Sequence, residues 1–452
     1  GAFDVLFGIV KEEEEGSIIA SDCMHIICNL LKANPSNVTY FREMAGIQEH
    51  VVPLLKRSGA PGWDSLFGLT LELIGNMLAA NPDEMQQNQS AMGRHGVLTD
   101  LAEVCCSAEC SRATRILALR MVGVLVHKHT PNRLLLNEMN ARCDGQPVLS
   151  HVLRACLNER IQHDDKHHEI NAAACMVFKC YLAGNVDGQQ HLAATLMPQP
   201  MFDDDVGGVQ VTPIGRVIIS SLIGASEAHG ASIQGGSLQA KARLTEAWGA
   251  ASVLSLILDG NDVCKEIAVM TPLELPMSDK PPEQLLKSVL KTLARGAEID
   301  YRAQAAMLRL LCVWTWGCER AAATTIGEPS TVVWLVGCMG KNASSTVPQE
   351  AQVHFRGAAA LVLACCLQHT SDAELQNNVF NIIDGRIGLD TFTDHIEQLI
   401  HSDALMTAKR REVSLAPWKP THEDQAWGYM VCDSDFAGVA ELAHASLQKC
   451  IF

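Results

Sequence analysis

The first residues that could support metal or thiol chemistry are Cys23-Met24-His25-Ile26-Ile27-Cys28. Thiolates and imidazoles are zinc ligands, but on a helix the two cysteines, five positions apart, point in different directions. No second ligand pair follows at zinc-site spacing, so no metal is expected. His163 and His167 stand one helical turn apart in the charged link His163 to His168 and read as solvated histidines. Cys105-Cys106 and Cys365-Cys366 are adjacent pairs, not C-x-x-C pairs, and read as core or rim residues. No G-x-S-x-G elbow, P-loop or G-x-G-x-x-G is present. Carboxylates abound, but none has a context that would tune its acidity by burial beside a partner. The chain is therefore expected to hold no catalytic residue and no cofactor, and not to be an enzyme.

What must position these residues is a row of helices. From Ser21 to Leu55, Cys23, Ile26, Ile27, Leu30 and Leu31 recur at the spacing of one apolar helical stripe. Asn34-Pro35 stops that helix, because the proline ring disfavours helical geometry in the residue before it. A second helix runs through Tyr40, Phe41 and Met44, and after Gly46 a third apolar run opens at Ile47. A step of 47 residues carries Cys28-Asn29-Leu30-Leu31 onto Gly75-Asn76-Met77-Leu78 and Asn34-Pro35 onto Asn81-Pro82. A further step reaches Met121 to Leu125, with a looser stop at Thr130-Pro131. A period in the forties built from apolar helices is the mark of armadillo and HEAT arrays. The fold class is thus all-α, an armadillo/HEAT-like α-solenoid, a right-handed superhelix of helical repeats.

On that scaffold one polar constellation stands out. Asp22, His25 and Asn29 share a helical face beside the apolar stripe, and one repeat later Glu72 and Asn76 take the places of His25 and Asn29. Stacked repeats would present Asn29 and Asn76 as rungs, where amides bond the backbone of an extended partner peptide. Alternatively, each asparagine satisfies a loop carbonyl within its own repeat. Armadillo nuclear-import adaptors pair such an asparagine with a tryptophan one turn earlier. None of the tryptophans here, at 63, 248, 314, 316, 334, 418 and 427, has an asparagine four residues on.

Composition agrees with an array. With 452 residues, a single compact core would be unusually large, whereas a solenoid packs each repeat only on its neighbours. The net charge of −16 argues against nucleic-acid binding, which needs clustered Lys and Arg. An acidic surface is either simply solvated or receives basic partner segments. The 17 cysteines lie mostly in apolar helical runs, as small core residues, and without a secretory signal point to a reducing compartment. The sequons at Asn37, Asn88 and Asn342 are then expected to stay unmodified. The longest uncharged oily run, Gly357 to Leu367, is too short to span a bilayer, and any membrane association is expected to be peripheral.

In chain order, residues 1–10 read as the last helix of a preceding unit, as in a solenoid whose earlier repeats are missing, and Lys11 to Gly16 as a solvated loop. Repeats are expected over 17–58, 65–106 and 111–157. Loops are expected at Pro198 to Gly208 and Ser226 to Gly236, and an irregular segment at Leu415 to Gly428. The array is expected to occupy 1–430, and 431–452 a closing helix leading toward a coiled-coil stalk that the chain itself lacks, since it shows no sustained heptads.

An ordered series of short matches resembles one family. It comprises Gly1 to Phe7, Asp22-Cys23, Asn29 to Lys32 with Asn34, Ser36-Asn37 and Phe41, Leu310 to Cys312 with Trp314, Arg386 to Gly388 with Phe392, and Asp433 to Phe436. Together they resemble the globular head of the general vesicular transport factor, or transcytosis-associated protein, family. The resemblance implies an armadillo-like head, a homodimer on a parallel stalk, and a role in docking vesicles between endoplasmic reticulum and Golgi. It implies as partners a Rab-type GTPase, SNAREs and Golgi tethering proteins, and a cytoplasmic location, peripheral on Golgi and ER–Golgi membranes.

Overall fold

A computed structural model of the chain describes residues 1–14, 16–58, 64–157, 167–198, 212–232, 237–274, 282–294, 301–340, 349–410 and 434–451. Among them there is no strand, only two isolated bridges, and every other regular element is helical. The described residues divide into two compact units, the first within residues 1–184 and the second from residue 185 onward.

The first unit holds α1 (Ala2–Glu12), α2 (Ile18–Leu31), α3 (Pro35–Glu43), α4 (Val52–Ser58), α5 (Asp64–Ala79), α6 (Met85–Arg94), α7 (Val97–Cys106), α8 (Arg112–Val126), α9 (Thr130–Glu138), α10 (Val148–Leu157) and α11 (His167–Leu182). Three helices recur, a long one followed by two shorter ones. The long helices α2, α5, α8 and α11 pack side by side in sequence, and α4 packs on α7. Ile27, Leu31, Leu73, Leu78, Leu119, Val122, Val177 and Phe178 are buried along that seam. The expected repeats at 17–58, 65–106 and 111–157 coincide with the triplets that open on α2, α5 and α8.

The second unit repeats the plan with α12 (Val186–Ala194), α13 (Ile214–Ser232), α14 (Ser237–Leu258), α15 (Asp262–Met270), α16 (Leu285–Ala294), α17 (Tyr301–Thr315), α18 (Glu319–Ile326), α19 (Pro329–Met339), α20 (Gln349–His369), α21 (Ala373–Arg386), α22 (Leu389–Ile400), α23 (Asp403–Arg410) and α24 (Ser434–Ile451). Its long helices α14, α17 and α20 are apolar on nearly every described side, as helices enclosed by neighbours must be. Gly357 lies where α20 meets α22, and a Cβ there would fall 2.4 Å from Leu399 Cβ. Only glycine permits that approach.

Two expectations differ in detail. Ser226 to Ser232 continues α13 rather than forming a loop, since alanines 225, 228 and 231 propagate a helix that its glycines only weaken. Ile26, placed in the buried stripe of α2, is 48% exposed. Met24 and Cys28 are buried in its stead. The second half of the Gly-rich segment, the Pro198–Gly208 loop and the Leu415–Gly428 segment lie largely or wholly outside the described residues.

The joint after α2, α8, α11, α14 and α17 has a recurring chemistry. A helix leaves its last carbonyls without partners in the helix itself. Ala33, Lys128, Gly184, Gly260 and Gly317 turn the chain there with φ of 49°, 52°, 64°, 62° and 73°. The next residue caps the short helix that follows. Asn34, His129, Asn185 and Asn261 each accept from the backbone N–H three residues on, at 3.1–3.2 Å. Asn34-Pro35, Asn81-Pro82 and the His129 joint therefore both stop one helix and start another. Asn37, Asn88 and Asn132 then donate their amides back to Leu30 O, Met77 O and Leu125 O at 2.7–2.9 Å. Two sequon asparagines thus have their side chains engaged, and Asn88 is wholly buried.

A second set of side chains on the short helices reaches the neighbouring repeat. Gln89 of α6 donates to Val124 O and His127 O at the end of α8, at 3.0 and 3.1 Å. Arg133 of α9 serves its own Val126 O at 3.0 Å and, at the end of α11, Cys180 O at 3.0 Å and Ala183 O at 2.7 Å. In the second unit Gln189 of α12 donates to Leu256 O and Asp259 O at 3.1 and 2.8 Å, and Lys265 of α15 to Trp316 O. Each repeat so completes the backbone of the next.

Two consequences can be measured. Replacing Arg133 by Met keeps much of the side chain's length but strips three carbonyls of their charged donor. Unfolding in urea should show a loss on the order of 3 kcal/mol; a change below about 0.5 kcal/mol would refute the role of the rung. The second concerns acid. Burial pushes the imidazoles of His127 and His129 below their ordinary 6.5, and the His129 Nδ1 that caps α9 can accept only while unprotonated. The unfolded chain takes up these protons first, so stability is complete above about pH 6.5 and declines as pH falls through that value. His129→Asn keeps a cap acceptor without the titration, and should flatten the slope of unfolding free energy against pH in that window.

Candidate partner-docking surface

Asp22, His25 and Asn29 all lie exposed on α2. Glu72 and Asn76 lie half-buried on α5, which packs against α2. The residues expected to share a face are thus brought together by one helix pair, but they are not equivalent. Asn76 Nδ2 donates to Cys28 O at 3.2 Å, so its amide serves the carbonyl of the preceding repeat. Asn29 is exposed and bonds no described side chain or carbonyl. Between the helices, Cys28 Sγ lies 3.6 Å from Leu69 O. Burial and the Glu72 charge together push the Cys28 thiol up to about 12.

The polar residues have apolar company that periodicity assigned elsewhere or passed over. Ile18 is 77% exposed, and Ile19 and Ile26 are about half exposed on the same helix as Asp22, His25 and Asn29. Val5 and Ile9 of α1, Tyr40 of α3 and Met44 just after it are also exposed. Three isoleucines exposed on one helix, as on α2, suit a face that meets another surface. A single-helix hydrophobic pattern cannot separate such residues from the core, because both lie beside the same stripe.

The remaining sequence candidates are dispersed. Cys23 and Cys28 are buried whereas His25 is exposed, so the three face different surroundings. Cys105, Cys365 and Cys366 are buried, and Cys106 half-buried. Burial pushes the thiols of Cys106 and Cys365 up to about 12 and those of Cys105 and Cys366 well above the ordinary thiol value. Such thiols stay protonated and are poor nucleophiles. His163 and the His167 side chain lie outside the described residues. No helix among the described residues is long and apolar enough to cross a membrane.

The two asparagines make a paired test. Asn76→Ala removes an inter-helix hydrogen bond and should lower unfolding free energy by about 1 kcal/mol. Asn29→Ala should leave the melting temperature at its wild-type value. Equal losses at both positions would contradict the difference in their environments.

Comparison with known proteins places this architecture. Residues 122–436 match the family model described as Uso1 / p115 like vesicle tethering protein, head region. The general vesicular transport factor p115 of Rattus norvegicus is 24% identical over all of this chain and 44% of its own length. Golgin candidate 6 of Arabidopsis thaliana is 25% identical over 91% of this chain and 46% of its own length. The chain thus spans less than half the length of the curated relatives it matches. The crystal structure of Uso1-2 superposes with a TM-score of 0.73 at 16% identity, covering 99% of this chain and 66% of the other.

Proposed function

Because the chain belongs to the Uso1 / p115-like vesicle tethering proteins, we propose that it acts as the non-enzymatic head of a vesicle tether in traffic between endoplasmic reticulum and Golgi and within the Golgi. The family match across residues 122–436 carries this reading. A row of stacked helices suits the task, because an extended surface lets partners dock across several repeats through individually modest contacts. Rab-type GTPases, SNARE machinery and Golgi tethering subunits are the proposed partners, in a homodimer held peripherally on Golgi membranes. Residues 1–430 would form the docking array and 431–452 the passage to a stalk. Two heads on one stalk make the second contact effectively intramolecular and raise avidity without new interactions.

The proposed docking face is α2 with the edge of α5. Asp22, His25 and Asn29 supply polar contacts, Ile18 and Ile26 supply apolar area, and Glu72 and Asn76 border it. Depleting the protein in cells should delay secretory cargo and fragment the Golgi. Re-expression of the parent protein should restore both, while an Ile18→Asp, Ile26→Asp double variant should fail to do so with an unchanged melting temperature. Normal cargo exit after depletion would sink the tether reading. Full rescue by the double variant would move the docking face elsewhere.

A further inference from the structure

A turn in the first unit gathers three metal-ligating side chains of different kinds. Between α9 and α10 the chain folds back on itself. Ala141 N donates to Gln146 O and Gly145 N to Ala141 O, both at 2.8 Å, and Val148 N donates to Met139 O at 2.9 Å. Gly145 takes φ of 70° at the tip, a conformation that side chains disfavour. Glu103 of α7 anchors the turn by accepting from Arg142 N at 3.2 Å. This backbone holds Cys143 and Asp144 at the turn and places His151 on the first turn of α10. The thiol of Cys143, a carboxylate oxygen of Asp144 and a ring nitrogen of His151 lie within 4.8 Å of one another.

We propose that Cys143, Asp144 and His151 bind one zinc ion, with water in the fourth position. Sulfur, imidazole nitrogen and carboxylate oxygen all serve as zinc ligands, whereas calcium and magnesium take oxygen alone. Tetrahedral zinc, with bonds of about 2.0–2.3 Å, separates its ligand atoms by roughly 3.5 Å, so separations that now reach 4.8 Å would shorten by about 1.3 Å at most, while the Asp144–His151 pair at 2.9 Å would open by about half an ångström as its hydrogen bond gives way to the metal. Asp144 Oδ1 already faces His151 Nε2 at 2.9 Å. Arg154 Nη1 lies 3.7 Å from the other oxygen, Oδ2, and so leaves Oδ1 on the metal side. Gln146 N donates to Oδ1 at 3.0 Å, which orients the carboxylate as outer hydrogen bonds orient ligands in metal sites. Cys143 and Asp144 are exposed, so the ion has an entry path. Binding takes the thiolate and releases its proton to solvent. The ion would pin the turn to α10; the hydrogen bond between Asp144 and His151 is what remains without it.

The cluster escapes sequence reading because Cys143-Asp144 and His151 match no C-x-x-C or H-x-x-x-H spacing. A turn, rather than a helix, brings them together.

The whole chain, stripped by chelator, is titrated with cobalt(II), whose thiolate charge-transfer band reports sulfur ligation, and then with zinc to displace it. One equivalent per chain should bind, with the band lost in Cys143→Ser and affinity at least tenfold weaker in His151→Ala. Cys175→Ser and His25→Ala should bind as wild type. Native mass spectrometry should show one zinc retained, and zinc should raise the melting temperature of wild type but not of Cys143→Ser. No stoichiometric binding, or binding unchanged in Cys143→Ser and His151→Ala while both variants melt as wild type, would overturn the site and leave an ordinary surface ion pair.

Discussion

Every long helix in this protein ends in carbonyls that its own helix cannot satisfy, and the array depends on how neighbours answer them. Buried far from water, an unmet carbonyl costs about as much as a lost hydrogen bond. The answer here is local and repeated. A residue in the left-handed conformation turns the chain, a polar residue caps the short helix, and an amide or guanidinium from that helix reaches the carbonyls of its own or the next repeat. Gln89, Arg133, Gln189 and Lys265 perform the same service at successive joints. The apolar seam provides the driving force for stacking; these donors set how one repeat must lie on the next.

The same requirement explains the placement of polar residues that would otherwise look functional. Asn76 looks like a binding residue because it is an amide in an otherwise oily helix, and Asn88 and Asn132 are amides buried on short polar helices. Each has its amide engaged on a helix-end carbonyl. Where a polar residue has no such duty, as with Asp22, His25 and Asn29, it lies at the surface beside exposed isoleucines. That contrast between polar groups that complete the backbone and those that face outward is the reason the α2 face is the one proposed for docking.

Membership of a tethering family suits a structure of this kind. The thiols of Cys28, Cys105, Cys106, Cys365 and Cys366 are held protonated by burial. The proposed zinc site lies on a turn between helices, where it would stiffen the scaffold. Stacked helices of this sort offer area and multiplicity of contact.

Amino-acid order alone determined the helical class and the early repeat. Apolar spacing at three and four residues, punctuated by Asn34-Pro35 and Asn81-Pro82, follows from local sterics and helix geometry, which need no distant partner. The tertiary structure decided which asparagine would be engaged and which left at the surface, because that depends on a carbonyl 48 residues away, as with Asn76 and Cys28. It also decided that Ile26 faces outward while Met24 faces in, since a stripe's width is set by the neighbour that covers it. And it brought Cys143, Asp144 and His151 together, because a turn's closure obeys no periodicity that a linear reading can detect.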